Sequence, residues 1–158
     1  MNIAYTKMHG TGNQILVVDQ RHGTAVPPSS EQLRVLGNDT TGPGFDQLMW
    51  VTASDDPAFA ARYRVFNKDG SEVEQCGNGA RCVGLYLELN NEYPGEPFQV
   101  ESPAGVVSMR RCDDGEYELD MGVPGFEPRL IPLSLQPEGG MYSLESPFGL
   151  IATKPSRK

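Results

Sequence analysis

Basic side chains are scarce in this sequence. Its 158 residues include 13 Lys and Arg against 21 Asp and Glu, which gives a formal net charge of −8 and an isoelectric point near 4.7. Nucleic-acid binding depends on clustered Lys and Arg that contact phosphates. The charge balance therefore predicts a protein that does not bind nucleic acid.

Long apolar runs and a cysteine framework are also lacking. No stretch approaches the roughly 20 apolar residues that cross a membrane, and the N-terminus lacks the basic-then-apolar pattern of a signal peptide. The three cysteines are an odd number, which makes a poor disulfide framework, and their spacing does not suit a zinc site. We expect a cytoplasmic protein without a membrane span or a metal.

Turn-forming residues, in contrast, are plentiful. The 18 Gly and 13 Pro indicate many short elements and a β-rich fold. Alternating or short apolar runs predict strands at residues 3–8, 15–18, 46–52, 61–66, 98–102, 106–111 and 116–121. Residues 9–13 between the first two strands are too glycine-rich for a regular element.

Two helices complete the predicted elements. The first begins with a serine cap near Ser29, to which Gln32 can reach back as in a capping box, and ends near Gly37. The second covers residues 80–89, whose apolar residues indicate a largely buried helix. We expect an α+β domain over residues 1–122, followed at 123–158 by the start of another unit with a basic tail.

Residues 67–82, which read NKDGSEVEQCGNGARC, hold the candidate chemistry. A strand ends in a turn there, and Cys76 opens a helix among small neighbours. Free backbone N–H groups at a helix start bind anions, and glycines let an anion approach closely. The helix dipole also favours thiolate over thiol. Such a site suits chemistry at the carbon beside a carboxylate, although composition alone is equally consistent with a structural cysteine.

This segment resembles the signature of the diaminopimelate epimerases. Residues 7–13 (KMHGTGN) are similar to the family's N-terminal glycine loop, and residues 42–48 (GPGFDQL) to its second substrate loop. Order and spacing agree over residues 3 to about 133. The resemblance implies a lobe with a mixed, mostly antiparallel, barrel-like sheet around a central helix, with the start of a second lobe at 123–158.

The resemblance also implies a mechanism and a set of site residues. Cys76 would be one of two catalytic cysteines that interconvert LL- and meso-2,6-diaminopimelate by acid/base catalysis, without pyridoxal phosphate or any other cofactor. Gly77 and Asn78 would offer backbone N–H groups to the substrate carboxylate. Three amide residues would hydrogen-bond the substrate: Asn13, Gln47 and Asn67.

The other two cysteines have simpler interpretations. Cys82 lies six residues after Cys76, about 9 Å along a helix, which is too far for a disulfide. We predict that Cys82 packs in the core and that Cys112 is a free thiol near a turn.

The sequence departs from the family pattern at several points. Gln14 stands where the family has an acid, and Lys68 stands where it has a small residue, so the far end of the substrate would meet a new cation. The second lobe, with the other cysteine, is largely missing, so we expect this half to be inactive in isolation. Two alternatives stay open: another isomerase of this architecture, proline-racemase-like or phenazine-pathway-like, and a non-catalytic binding or oligomerisation module. A homodimer is expected because a lone lobe exposes apolar surface.

Overall fold

The computed structural model describes residues 3–92, 97–127, 138–139, 141–147 and 149–153. The chain divides into two compact units, residues 1–120 and residues 121–158. The described residues of the first unit form two helices and eight strands, and those of the second form a two-stranded hairpin. The α+β class predicted from the sequence is thereby confirmed.

The elements of the first unit follow the order β1 (Thr6–Gly10), β2 (Asn13–Asp19), α1 (Ser30–Gly37), β3 (Gln47–Thr52), β4 (Ala61–Asn67), β5 (Glu72–Val73), α2 (Gly77–Leu89), β6 (Phe98–Ser102), β7 (Gly105–Arg111) and β8 (Tyr117–Asp120). Every predicted strand and both predicted helices are confirmed, with ends that shift by a few residues. In the second unit β9 (Tyr142–Ser146) pairs with β10 (Gly149–Thr153) in antiparallel fashion. The predicted basic tail, residues 154–158, lies outside the described residues.

The eight strands form one mixed sheet in the order β1-β2-β3-β4-β6-β7-β8, with β5 paired to β4. Strands β2 and β3 are parallel, as are β4 and β6, and the other pairs are antiparallel. Parallel neighbours need a crossover connection, and α1 and α2 lie in those two connections.

Helix α2 occupies one face of this sheet and is in contact with β1, β2, β3 and β8. Since β1 and β8 are the two ends of the strand order, the sheet curls around the helix as a half-barrel. The core between them includes the fully buried Val83 and Leu87 of α2 with Val65 and Met109 of the sheet. Burial of each such side chain stabilises the fold by about 1.5–3 kcal/mol.

Helix α1 covers the other face of the sheet. Ser29 caps it, accepting a hydrogen bond from the Gln32 backbone N–H, while the Gln32 side chain accepts one from the Ser29 N–H, so the predicted capping box is confirmed. Leu33 packs there with Trp50 and Phe66. An open cavity of about 890 Å³, lined mostly by apolar side chains, lies between α1 and this face.

The prediction for residues 9–13 is wrong in one respect. Strand β1 runs to Gly10 and β2 starts at Asn13, so only Thr11 and Gly12 are outside the ladder. Both have positive φ, +49° and +93°, as in the type I′ turns that close tight hairpins. The glycine-rich segment is therefore a two-residue hairpin turn rather than an irregular loop.

No helix in the described ranges is long and apolar enough to traverse a bilayer.

Candidate functional site

Cys76 is the N-cap residue of α2. Its backbone is extended (φ −146°, ψ 104°), and its Sγ accepts a hydrogen bond from the Gly79 N–H at 3.2 Å. Sulfur thus takes the place of the Ser or Asp oxygen that usually satisfies a free amide at a helix start. The cap holds the sulfur at the positive end of the helix dipole, where negative charge is favoured.

A second contact fixes the sulfur from the sheet side. The thiol of Cys76 donates to Gln47 Oε1, with 2.9 Å between the heavy atoms. Cys76 and Gln47 are both partly exposed, and Cys76 packs at the margin of the core that α2 shares with the sheet. The sulfur is therefore held by two polar contacts and is not enclosed among aliphatic side chains.

Gln47 is also the centre of a chain of side-chain amides. Asn13 Nδ2 donates to Gln47 Oε1 at 3.1 Å, and Gln47 Nε2 donates to Asn67 Oδ1 at 3.3 Å. Asn67 Nδ2 continues the chain to Ser71 Oγ at 3.1 Å. The structure thus brings together the three predicted amide residues and Cys76, while their roles in substrate binding stay predictions.

The sheet register explains this assembly. Gln47 is directly opposite Asn67 in the antiparallel β3–β4 pair and opposite Ile15 in the parallel β2–β3 pair. Asn13 lies two residues before Ile15, and side chains two apart on a strand share a face. All three amides therefore project from the ends of adjacent strands on the face that carries α2.

The helix start is packed closely against the first hairpin. A Cβ added to Gly10 would come within 3.0 Å of the Asn78 Cβ and 3.3 Å of the Asn78 carbonyl oxygen. On the sheet side, a Cβ on Gly79 would meet the Met49 sulfur at 2.3 Å. These glycines let the first turn of α2 sit directly against β1 and β3.

Two backbone amides at this turn are available to an anion. Within the described part of the chain, the Gly79 and Ala80 N–H groups bond to the sulfur and carbonyl oxygen of Cys76, whereas those of Gly77 and Asn78 have no acceptor. These free donors belong to the two residues, Gly77 and Asn78, for which the resemblance implies a contact with the substrate carboxylate. Their use by a carboxylate is part of the proposal below.

The remaining cysteines have other surroundings. Cys82 is 4% exposed in the α2 core, as predicted, and burial raises the pKa of its thiol to about 11. It is therefore protonated at neutral pH and unsuited to acid/base work. Cys112 is a partly exposed free thiol at the β7–β8 turn.

The Lys68 side chain does not project toward Cys76, and its expected contact with the far end of the substrate stays a prediction. Lys68 follows Asn67 directly and so projects from the opposite side, where a Cβ added to Gly37 of α1 would lie 2.6 Å from the Lys68 Cβ. Its ammonium pairs with Asp46 at 3.3 Å, and the Asp46 carboxylate also accepts the Gln14 N–H at 3.0 Å. That backbone bond, and secondarily Lys68, lowers the pKa of Asp46.

The sequence reasoning missed Arg81 and Ser71. Both lie inside the 67–82 segment. Ser71 supports Asn67 as described, and Arg81 donates to Asn78 Oδ1. Arg81 lies three residues after Asn78 on α2, and Ser71 lies four residues after Asn67 across a tight turn. Residues at these spacings are in contact, so the sequence could have predicted both pairs.

A model of the diaminopimelate epimerase family matches residues 5–127. The chain belongs to this family. A diaminopimelate epimerase from Chromobacterium violaceum is 42% identical over 149 residues, which are 94% of this chain and 54% of that protein. One from Pseudomonas savastanoi pv. phaseolicola is 40% identical over 147 residues, 92% of this chain and 52% of that protein. The chain thus spans about half the length of the curated diaminopimelate epimerases it matches.

Solved structures with distant sequences share the fold. A hydroxyproline epimerase from Agrobacterium vitis with bound trans-4-hydroxy-L-proline aligns with a TM-score of 0.59 at 18% identity, covering 94% of this chain and 46% of that one. A phenazine biosynthesis protein of the PhzF family from Enterococcus faecalis gives 0.58 at 14% identity, covering 84% and 49%. These likenesses concern architecture alone, and the sequence relatives favour the diaminopimelate epimerases over the two alternative isomerases.

Proposed function

We propose that this chain supplies one acid/base sulfur, Cys76, and one wall of the site for an epimerase that interconverts LL- and meso-2,6-diaminopimelate. The observation that carries this proposal is the position of Cys76 between the Gly79 N–H and Gln47 Oε1, 3.2 and 2.9 Å from its sulfur. Family membership supports the choice of substrate. The reaction would serve lysine and peptidoglycan-precursor synthesis in the cytoplasm.

The two contacts of Cys76 suit the two protonation states that the reaction needs. The Gly79 N–H stabilises a thiolate by donating a hydrogen bond to it, and Gln47 Oε1 stabilises a thiol by accepting a hydrogen bond from it. As a thiolate, Cys76 would remove the α-proton from one face of the substrate. As a thiol, it would return a proton to that face in the reverse direction, which is general acid/base catalysis by one sulfur.

The free amides of Gly77 and Asn78 support binding of the reacting carboxylate. Negative charge moves onto that carboxylate as the α-proton leaves, so donors fixed at its oxygens stabilise the carbanion. Asn13, Gln47 and Asn67 add neutral donors and acceptors that suit an amino-acid zwitterion. None of these steps calls on a cofactor.

Inversion requires a second sulfur on the opposite face of the α-carbon. We propose that it belongs to the remainder of a two-lobe protein, since the chain spans 54% of one curated relative and 52% of another. The 158-residue chain would then remove and return the proton on one face without inverting the centre, unless two chains associate as the predicted homodimer and supply two copies of Cys76.

Proton exchange in deuterated water tests this function. LL- or meso-diaminopimelate is incubated with the chain, and NMR follows loss of the α-proton signal and conversion between stereoisomers. We expect the wild type to exchange the α-proton, Cys76→Ser to lose this exchange, and Cys112→Ser, which removes a cysteine away from the site, to retain it.

The outcome also reports the number of working sulfurs. Exchange without conversion indicates one sulfur, and conversion that scales with the amount of dimer seen by sedimentation indicates two. Absence of exchange from the wild type, with no substrate-induced shift of the Gly77 or Asn78 amide signals, would overturn the proposal.

A further inference from the structure

Arg81 differs from most arginines of the described region in its partners. Arg21, Arg62, Arg64, Arg110 and Arg111 each pair with a carboxylate. Arg81 instead donates from Nε to the Tyr117 carbonyl oxygen at 3.0 Å and from Nη1 to Asn78 Oδ1 at 3.4 Å. No carboxylate within the described ranges forms an ion pair with it, so its positive charge is not neutralised by a neighbour.

Tyr117 provides a rigid anchor for this side chain. Its ring packs against Gly84, where an added Cβ would lie 2.9 Å from the ring, and its hydroxyl donates to Glu88 Oε2 at 2.8 Å. Residues 81, 84 and 88 share one face of α2. Tyr117 of β8 thus contacts three positions along this face of α2, and Arg81 is the one nearest Cys76 in the helix.

From this anchor, Arg81 reaches the turn that carries the free amides. Asn78 contacts Gly10 on the β1 side and Arg81 on the β8 side. Asn78 is therefore held between the first hairpin and an arginine fixed to the opposite end of the sheet. Its backbone N–H is one of the two without an acceptor in the described part of the chain.

We propose that Arg81 is a positioning residue that holds Asn78 and adds positive charge behind the anion-binding amides beside Cys76. This inference rests on the proposed function, because it assigns Arg81 to the same site. The guanidinium and the helix dipole act in the same direction there, and both favour a carboxylate next to the sulfur.

Alkylation of Cys76 by a charged and a neutral reagent tests this role without requiring turnover. Iodoacetate carries a carboxylate and iodoacetamide does not, and both react with the same thiolate. The ratio of their rates therefore reports attraction of an anion to the site, independent of how much thiolate is present. The measurement uses the Cys112→Ser background, where Cys82 is buried, with peptide mass spectrometry to confirm labelling at Cys76.

We expect Arg81→Gln to lower the iodoacetate-to-iodoacetamide ratio about threefold or more, with a smaller fall at high salt. Arg81→Lys keeps the charge but replaces the two guanidinium nitrogens that bond to Tyr117 and Asn78 with a single flexible ammonium, so it should give an intermediate ratio. Arg34→Gln is the matched control, since Arg34 also donates to a carbonyl, that of Asp69, but lies on α1 across the sheet. Its ratio should equal that of the background.

An unchanged ratio in Arg81→Gln, or an equal fall in Arg34→Gln, would overturn the inference. If Arg81→Gln does not fold, as judged by circular dichroism, Arg81→Lys decides: a ratio equal to the background overturns the proposal, and a lower one supports it. The two proposals can fail separately. If Arg81→Gln lowers the alkylation ratio but the wild type shows no proton exchange, Arg81 still acts at an anion site, and only the epimerase proposal is overturned.

Discussion

The side-chain oxygen of Gln47 accepts a hydrogen bond from the thiol of Cys76, with 2.9 Å between oxygen and sulfur. The same oxygen accepts from Asn13 at 3.1 Å, and the Gln47 amide nitrogen donates to Asn67 at 3.3 Å. With both ends of the amide engaged, the orientation that points oxygen at sulfur is the one that satisfies all three partners. Gln47, on β3, therefore links the sulfur to Asn13 on the neighbouring strand β2 and to Asn67 on the neighbouring strand β4.

Replacing this neutral acceptor with a charged one should suppress the reactivity of Cys76. Gln47→Glu places a carboxylate next to the sulfur. Two like charges about 4 Å apart repel by about 1 kcal/mol in water and by about 4 kcal/mol near a protein surface. We expect alkylation of Cys76 by iodoacetamide at pH 8 to slow at least about fivefold. Gln99→Glu is the control, because the exposed side chain of Gln99 donates to Ser108 on the neighbouring strand β7. Equal rates in Gln47→Glu and the wild type would show that the contact does not govern the thiolate.

Tyr63 should make the fold sensitive to alkali. It is 1% exposed, and burial raises its pKa from 10 to about 12, against a smaller opposite effect of the Ser102 hydrogen bond. A group whose pKa is raised by folding contributes stability below its unfolded pKa and loses that contribution as pH rises through the folded value. The free energy of unfolding should therefore fall by about 2–3 kcal/mol between pH 10 and 12 on account of Tyr63.

Urea unfolding at several pH values measures this loss. Tyr63→Phe should flatten the profile in that window, whereas Tyr5→Phe, at a tyrosine that is 52% exposed, should leave it unchanged. Identical slopes in the wild type and Tyr63→Phe would mean that Tyr63 ionises as easily in the folded chain as in the unfolded one.

Much of this fold follows from local sequence patterns. The Ser29 and Gln32 capping box, the alternation around Tyr63 and the position of Cys76 at a helix start each depend on neighbours within a few residues, and the structure contains all three. The order of the strands in the sheet could not be predicted from such local patterns. Residues 15–18 are all buried, and a continuous apolar run does not reveal which strands lie on either side or in which direction they run.

The grouping of the site residues came from motif resemblance, and sheet geometry explains it. Asn13, Gln47 and Asn67 are far apart in sequence and meet because strand register aligns them. The position of Lys68 follows from the same geometry, since consecutive strand residues face opposite sides and Asn67 shares the face of Gln47. The hairpin turn was missed because Thr is not a residue expected at positive φ.

Lys68 should accordingly be dispensable to the site. Lys68→Ala removes an exposed ion pair with Asp46 on the α1 side, and such pairs contribute about 0–1 kcal/mol. We expect the free energy of unfolding to fall by less than about 1 kcal/mol and Cys76 alkylation to be unaffected. Asp46→Asn, which also weakens the acceptor of the Gln14 N–H, should be the more destabilising of the two. A large fall in alkylation with Lys68→Ala would place its charge near the sulfur after all.

Thr11 should be a position where substitution stabilises the protein. It adopts φ +49° in the turn that leads into Asn13, and a β-branched residue is strained in the left-handed region, at a cost on the order of 1 kcal/mol. Asn favours this position in type I′ turns before Gly, so Thr11→Asn should raise the free energy of unfolding by about 1 kcal/mol. The gain is reduced by loss of the exposed hydrogen bond from the Thr11 hydroxyl to the Gly10 carbonyl oxygen.

Urea unfolding measures the change in stability of Thr11→Asn, and Thr24→Asn, at an exposed threonine without positive φ, is the control. Because the turn should keep its shape, Cys76 alkylation should stay unchanged; a less stable Thr11→Asn variant would indicate that the hydroxyl bond outweighs the backbone strain.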